Sequence, residues 1–421
     1  MKSLRQDLPL PIAIFLAALL LPPELSLHLG GLRLSGYRVV LLILFLPMLY
    51  RLLTSPRVRV TPADLGMMFV SAWCLLALAA NHDLLSAIEK GGILIAEMLG
   101  SYLLARVYIT SYDKLVAVTK FLLVLVAAVL IVSIPESLSG LHYLRGSNIT
   151  IYPERMGLHR AYGPFDHPIL HGVYCAAAFS YGYYLLVKNA KGSPTKFLPV
   201  AIICGATFFS LSAGPYIALA TQIGLLAWDR LTHNINGRWW IVIGAICAGY
   251  IVLDLSSNRS PVAILISHFS FSGQTAYFRL LIFDYGYAEV MRHPLLGIGF
   301  NEWVRPGWMP PSVDNFWLLT AMRYGIPALL GIVGVMIYLT MRLGYNGSHS
   351  DKLRDAARAW GFTLAGFVVV GCTVAFWNAT FVLFFFLLGS GCWLLERQNL
   401  AQVSEPTPVN LEVIWAKPTL F

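Results

Sequence analysis

The chain has 421 residues, 57% of them hydrophobic and only 12% charged, with a mean hydropathy of +0.68; a soluble globular protein carries about 25% charged residues. Its apolar residues fall in runs of about 17–25, each long enough to cross a hydrocarbon layer of roughly 30 Å as a helix, which excludes a water-soluble protein and points to a polytopic membrane protein. The formal net charge of +9 comes from Arg and Lys scattered between these runs, a topology signal rather than a nucleic-acid surface.

In chain order the apolar runs predict an all-α transmembrane bundle of about twelve spans, near 8–22, 37–53, 63–80, 86–105, 115–134, 168–187, 196–212, 215–229, 239–255, 316–341, 358–376 and 379–396. One bundle then takes residues 1–397, and a polar, Pro-containing cytoplasmic tail takes 398–421. Lys2 and Arg5 ahead of Leu8 to Leu21 resemble a signal peptide, but Pro22-Pro23-Glu24 is no small-residue cleavage site, so the run reads as an uncleaved first span. Cys74, Cys175, Cys204, Cys247, Cys372 and Cys392 lie in apolar runs without CxxC spacing, so neither disulfide nor structural zinc is expected.

With a cytoplasmic N-terminus the inside segments hold nineteen of the thirty basic residues, among them Arg57, Arg59, Arg106, Lys188, Lys191, Arg238, Arg358, Arg397 and Lys417, and both termini lie inside. Two long stretches remain outside, 135–167 and 256–313, and long connections are where function concentrates. Apart from Lys90, the outside basic residues are all Arg: Arg33, Arg38, Arg145, Arg155, Arg160, Arg259, Arg279, Arg292, Arg305 and Arg323. Guanidinium groups suit bidentate recognition of phosphate or carboxylate, which suggests an anionic ligand at the outer face; they also simply keep loops wet.

Within the second stretch, Gln274 to Arg292 predicts a helix, followed by a turn at His293-Pro-Leu-Leu-Gly-Ile-Gly299. Trp303 and Trp308 read equally as interfacial anchors and as surfaces for sugar rings. Asp314 and Asn315 open a span, where either is an ordinary helix cap; a carboxylate there can also take a proton from an attacking hydroxyl. Glu89, Lys90 and Glu97 sit in the fourth apolar run and must face protein or water, Lys90 within reach of a headgroup phosphate or paired with a Glu. His159, Asp166, His167 and His171 have a metal-like spacing, but Pro168 makes His167 a cap, and no HExxH, Walker A, GxSxG or Asp-x-Asp occurs. No metal, cofactor or nucleotide is expected.

Arg160-Ala-Tyr-Gly-Pro-Phe-Asp-His-Pro, Tyr277-Phe-Arg279, His293-Pro-Leu-Leu-Gly-Ile-Gly and Val313-Asp-Asn-Phe-Trp-Leu-Leu-Thr-Ala-Met-Arg-Tyr-Gly together resemble the O-antigen ligase and O-antigen or exopolysaccharide polymerase family. The resemblance covers residues 60–395 in layout and only those stretches in letters. It implies an inverting, metal-independent glycosyltransferase of the bacterial inner membrane that takes an undecaprenyl-pyrophosphate-linked glycan as donor at the periplasmic face. The acceptor is a growing glycan in a polymerase and a lipid A core in a ligase; membrane lipid and other polysaccharide export proteins are the further partners implied, and nucleic acid is not.

The same resemblance implies Arg279 and Lys90 as pyrophosphate contacts. It also shows two departures: ligases place a His where this chain has Asp314, and an Arg in the stretch that here reads Ser212-Ala213-Gly214. Both favour the polymerase branch, with Arg160 supplying the missing charge. The catalytic set is then Asp314 as base, with His293 the alternative, and Arg279 on the leaving group's charge; Lys90, Arg160, Arg305, Asn315 and Arg323 are the substrate-binding set. A transporter of lipid-linked glycan is the competing class, although no matching broken-helix halves are visible. The topology is tested by a cysteine placed at Ser257, which an impermeant reagent should label from outside; labelling only after the cytoplasmic face is opened contradicts it.

Overall fold

The computed structural model describes residues 7–29, 32–56, 58–146, 149–188, 190, 192–257, 264, 273–345 and 350–404. Of the charges used above, Lys2, Arg5, Arg57, Lys191, Arg259 and Lys417 lie outside the described residues. Of the described residues 73% are helical, and among them one small sheet pairs β1 (Leu27–Leu29) with β2 (Leu32–Leu34) antiparallel.

Each apolar run falls on helix. The helices that matter below are α1 (Leu10–Ala18), α2 (Gly36–Thr54), α3 (Pro62–Asn81), α4 (Leu84–Ile95), α5 (Ser101–Tyr108), α6 (Tyr112–Ser139), α7 (Pro168–Ala176), α8 (Leu198–Phe208), α9 (Ala213–Leu231), α10 (Arg238–Ser256), α11 (Gly273–Arg292), α12 (Phe316–Tyr345), α13 (Asp351–Gly371) and α14 (Asn378–Ser404). Among the described residues six of them, α2, α3, α6, α10, α12 and α14, contain stretches long and apolar enough to cross a membrane. The other runs are shorter or interrupted. A π-helical turn at Ala96–Gly100 separates α4 from α5, and another at Gly182–Val187 ends the run that α7 opens. The tail does not begin where the hydropathy falls. No Pro or Gly stands between Gly391 and Pro406 to stop a helix, and α14 runs on to Ser404.

Charges gather at two ends of the bundle. At one end the fully buried Arg106 donates from Nε to Asp64 (3.0 Å) and from Nη2 to Glu396 (2.8 Å), while Tyr102 donates to Asp64 (2.7 Å). Asp229 joins the same end, pairing with Arg238 (2.6 Å) and Arg358 (3.4 Å). At the other end Asn378 donates to Asp166, and Arg145 pairs with Glu24 (2.9 Å). Asn378 and Glu396 both belong to α14, and the eighteen residue steps from one to the other rise about 27 Å, close to the roughly 30 Å of a hydrocarbon core. Glu97 takes the ion-pair option: Arg38 reaches it at 2.7 Å, and the Tyr37 hydroxyl donates to it at 2.9 Å.

One helix is broken, and the break positions the second long loop. In α12, Gly325 has φ 80° and ψ 169°, and Pro327 follows. Proline has no N–H for the carbonyl a turn earlier, and only glycine adopts this backbone without strain. The carbonyls so released are taken from outside the helix: Ile298 N donates to Met322 O (2.8 Å), Gly299 N to Arg323 O (2.9 Å), and the Trp73 indole of α3 to Tyr324 O (3.1 Å). Ile326 N in turn donates to Pro294 O (2.8 Å). The two stretches His293–Gly299 and Met322–Gly325 are thus partners, stitched backbone to backbone.

A Cβ at Gly325 would stand 1.8 Å from Leu295 O. Gly325→Ala should therefore release the loop as well as incur the roughly 1–3 kcal/mol of a strained backbone. Thermal unfolding of the detergent-purified protein is expected to fall, with residues 293–300 becoming protease-sensitive; an unchanged melting point and digestion pattern would show that the stitch does not hold the loop.

Candidate functional site

The segment between α6 and α7 turns back at Arg155-Met156-Gly157-Leu158. Arg155 N donates to Leu158 O (3.0 Å) and Leu158 N to Arg155 O (3.1 Å), with Met156 and Gly157 both at positive φ, the two-residue turn that glycine permits. The turn aims both flanking arginines the same way. Arg155 donates to Leu211 O (2.7 Å), and Arg160 donates from Nη2 to the Ser212 hydroxyl (2.7 Å). Arg160 therefore reaches the stretch where the sequence lacks the arginine implied by resemblance. The chain beyond it is framed by the end of α6, since Tyr162 N and Gly163 N both donate to Glu136 Oε2 (3.0 and 2.8 Å), and by Ala161 N donating to Phe209 O (3.0 Å).

Arg279, two turns into α11, and Asp314, just ahead of α12, approach the same place. Burial pushes the Asp314 carboxyl above its usual range, and the Arg279 guanidinium opposes that. Burial pulls Arg279 down, with Asp314 raising it and Arg155 lowering it further. Burial also lowers Arg155, and it brings Arg160 down to about 10, with the neighbouring Arg155 charge adding to the effect. Tyr152 links the two loops: the Arg160 guanidinium lies 4.7 Å from the centre of its ring, and the Asp314 charge helps burial to raise its phenol. Among the described residues Arg155, Arg160, Arg279 and Asp314, from two distant parts of the sequence, thus lie near enough to feel one another's charge in a largely buried region. Arg160 Nε is buried without a hydrogen-bond partner among the described residues.

The caps separate what the sequence left joined. Asn315 is the cap of α12: its side-chain oxygen accepts from Leu318 N (2.9 Å), and its amide nitrogen donates to Cys372 O (3.0 Å). No capping hydrogen bond to Asp314 occurs among the described residues. His167 caps α7 through Nδ1, which accepts from Ile169 N (2.9 Å). Burial, then Arg160 and Arg155, hold its pKa down to about 3. The ring is neutral, so the proton sits on Nε2 beside Tyr152 and Trp377, with which it makes ring contacts at 5.0 and 5.8 Å.

The remaining candidates lie elsewhere. His293 follows the far end of α11, fourteen residues and about 21 Å along the helix from Arg279; its side chain is half exposed, with Nε2 3.6 Å from Glu289. Arg305 is occupied in shaping its own loop, donating to Met309 O (3.2 Å) and Trp303 O (3.2 Å) and pairing with Glu302 (2.5 Å). Trp303 is buried and donates to Pro311 O (3.1 Å), whereas Trp308 is exposed. Lys90 and Arg323 both lie near the Phe300 ring, at 5.6 and 5.1 Å from its centre. His171 is packed in the core against Ala161 O and Ser133.

Arg155, Tyr152, His167 and Ser212 were not among the sequence candidates for this site. The available signal was the pair of arginines flanking Met156-Gly157, a turn dipeptide that returns both to one side. No protein-family model matches the chain, and no curated protein matches it. Because the cap is Asn315, Asn315→Ala should cost about 0.5–2 kcal/mol of stability, while Asp314→Asn removes no cap. Paired melting curves check this, and an equal loss in Asp314→Asn would return Asp314 to a capping role.

Proposed function

We propose that the protein is an inverting, metal-independent membrane glycosyltransferase that joins undecaprenyl-pyrophosphate-linked glycan units at the periplasmic face of a bacterial inner membrane, in the manner of an exopolysaccharide or O-antigen polymerase. The topology that goes with it has about twelve spans and two cytoplasmic termini. The observation that carries the reading is the buried Arg160 Nε, unsatisfied among the described residues, in a region where Arg155, Arg160, Arg279 and Asp314 come near enough to feel one another's charge. A desolvated arginine cluster is suited to an anion such as a pyrophosphate, whose charge grows as it departs.

In this reading the acceptor sugar hydroxyl attacks C1 of the donor glycan. The new C1–O bond forms on the face opposite the breaking bond to pyrophosphate, so C1 inverts. Asp314 takes the hydroxyl proton, and its raised pKa makes it a better proton acceptor than a solvent-exposed carboxylate. Arg279, Arg155 and Arg160 hold the charge that collects on the lipid pyrophosphate, and neutral His167 offers an Nε2–H beside them. Asp314 is preferred to His293 as the base because it lies beside Arg279, while His293 follows the far end of α11. The polymerase branch is preferred to a ligase that delivers glycan to a lipid A core because a carboxylate, Asp314, occupies the head of α12 and Arg160 reaches Ser212.

Purified protein given a lipid-pyrophosphate-linked glycan should lengthen it without nucleotide or added metal. Asp314→Asn should abolish turnover and spare donor binding; Arg279→Lys, which keeps charge but loses the two-pronged contact, should lower it by at least about tenfold. As Asp314 acts deprotonated, activity should rise with pH through a limb lying above the usual carboxylate range. The residual activity of Arg279→Gln should show that limb at still higher pH, because the guanidinium that lowered the Asp314 pKa is gone. Glycan crossing a sealed vesicle with no new glycosidic bond would make the protein a transporter instead, and near-normal turnover in Asp314→Asn would end its role as base.

A further inference from the structure

Asp166-His167 ends the first outer loop and Trp377-Asn378 leads into α14, and the fold sets one dipeptide against the other. The backbone at His167 is extended (φ −154°, ψ 143°), so these two neighbouring side chains leave the chain on opposite sides. Asn378 meets the first, its Nδ2 donating to Asp166 Oδ2. Trp377 meets the second, with its ring edge-on to the His167 imidazole at 5.8 Å. Two consecutive residues at the head of a span thus grip two consecutive residues of a distant loop.

The grip is made in a strained backbone. Asn378 has φ 47°, in the left-handed region that few residues other than glycine adopt; asparagine is one of them. Its amide is backed by the Tyr37 hydroxyl, which donates to Glu97 at 2.9 Å and lies 3.5 Å from Asn378 Oδ1. Arg145 approaches the other oxygen of Asp166 at 3.7 Å. The Asp166 carboxylate is therefore engaged at both oxygens, and among the described residues no ion pair joins it to His167.

That engagement decides what His167 can do. Its Nδ1 accepts from Ile169 N, so the ring proton sits on Nε2. The titratable groups around it in the loop are Tyr152 and Tyr162, at 5.0 and 6.4 Å between ring centres, with Arg155, Arg160 and its neighbour Asp166. The α14 side brings only Trp377 and Asn378, which do not titrate. Burial, then the Arg160 and Arg155 charges, hold the imidazole neutral. A carboxylate turned toward the ring would act the other way, drawing it to imidazolium. Beside two guanidiniums a neutral N–H adds a hydrogen bond to an anion without adding to their mutual repulsion.

We propose that Asn378 is a positioning residue: by holding the Asp166 carboxylate off the imidazole, it leaves His167 an uncharged Nε2–H donor to a phosphate oxygen of the anion that Arg155 and Arg160 bind. The anion rests on the proposed function, whereas the hold on Asp166 belongs to the protein alone. The two therefore fail separately.

The test is 15N NMR of full-length, histidine-labelled protein in detergent, with the His167 resonances assigned by their loss in His167→Gln. In the wild type the ring should stay neutral and Nε2-protonated from about pH 7.5 to about pH 5. Asn378→Gly accepts the left-handed backbone but lacks the amide, and it should bring the titration into that window, toward the ordinary value of about 6.5. Adding Asp166→Asn to Asn378→Gly should return the ring to neutral throughout, a rescue that a general loss of fold does not give. Inorganic pyrophosphate should shift the wild-type Nε2 resonance, and Arg160→Gln should diminish that shift. A wild-type ring that titrates near 6.5, or a titration unchanged in Asn378→Gly, overturns the positioning role. Pyrophosphate that leaves the Nε2 resonance unmoved, while the dependence on Asn378 holds, overturns the anion as the ligand of His167.

Discussion

A backbone carbonyl facing hydrocarbon has no water to turn to, so a helix that breaks inside a membrane must find its partners in the protein. The break at Gly325–Pro327 in α12 sets that requirement, and the loop from His293 to Gly299 meets it, with Trp73 of α3 taking one more carbonyl. Much of the charged end of the bundle follows from this one device. Fixing Pro294–Gly299 on α12 fixes the end of α11, and hence the helix that carries Arg279; it places Phe300 against His82; and it sends the chain on to Val313 and Asp314. The loop is irregular in outline and tightly determined in position.

The same end is reached from the first long loop by different means. There the determinants are a two-residue turn at Met156-Gly157 and a carboxylate, Glu136, that gathers two backbone N–H groups at the end of α6. Two loops built independently thus deliver three guanidiniums, a carboxylate, a phenol and a neutral imidazole to one region. Bringing so many like charges out of water is costly; Arg155 and Arg160 each recover a hydrogen bond, to Leu211 O and to the Ser212 hydroxyl. In the proposed reading an anion offsets the rest, whereas in Arg106–Asp64–Glu396 two carboxylates meet the one guanidinium.

What was legible beforehand divides along physical lines. Helix positions were visible because each apolar run is a local property, and α11 was visible from its own residues and the His293-Pro294 stop. Span number was less so, since hydropathy does not register the π-turns at Ala96–Gly100 and Gly182–Val187. Asp314, Arg279 and Arg160 were visible as chemistry, but not as neighbours, because contacts between segments distant in the chain leave no trace in spacing. Asp314 and Asn315 could not be told apart by composition, either being a good cap; only the hydrogen bond from Leu318 N to Asn315 separates them. Lys90 and Arg279 fell into one class by charge, and the fold puts one near the Phe300 ring and the other beside Asp314. His293 looked suitable by residue type and lies at the wrong end of its helix.

The convergence of the two loops is the feature on which the functional reading turns, and it is open to direct measurement. With the exposed Cys247 and Cys372 replaced by Ser, cysteines introduced together at Tyr152 and Asp314 can be offered a short bismaleimide in the purified protein. The expected result is rapid intramolecular bridging, seen as joined fragments after cleavage between the two loops. If each cysteine reacts singly while the pair never bridges, the loops do not meet, and the arginine pocket does not exist in the folded protein.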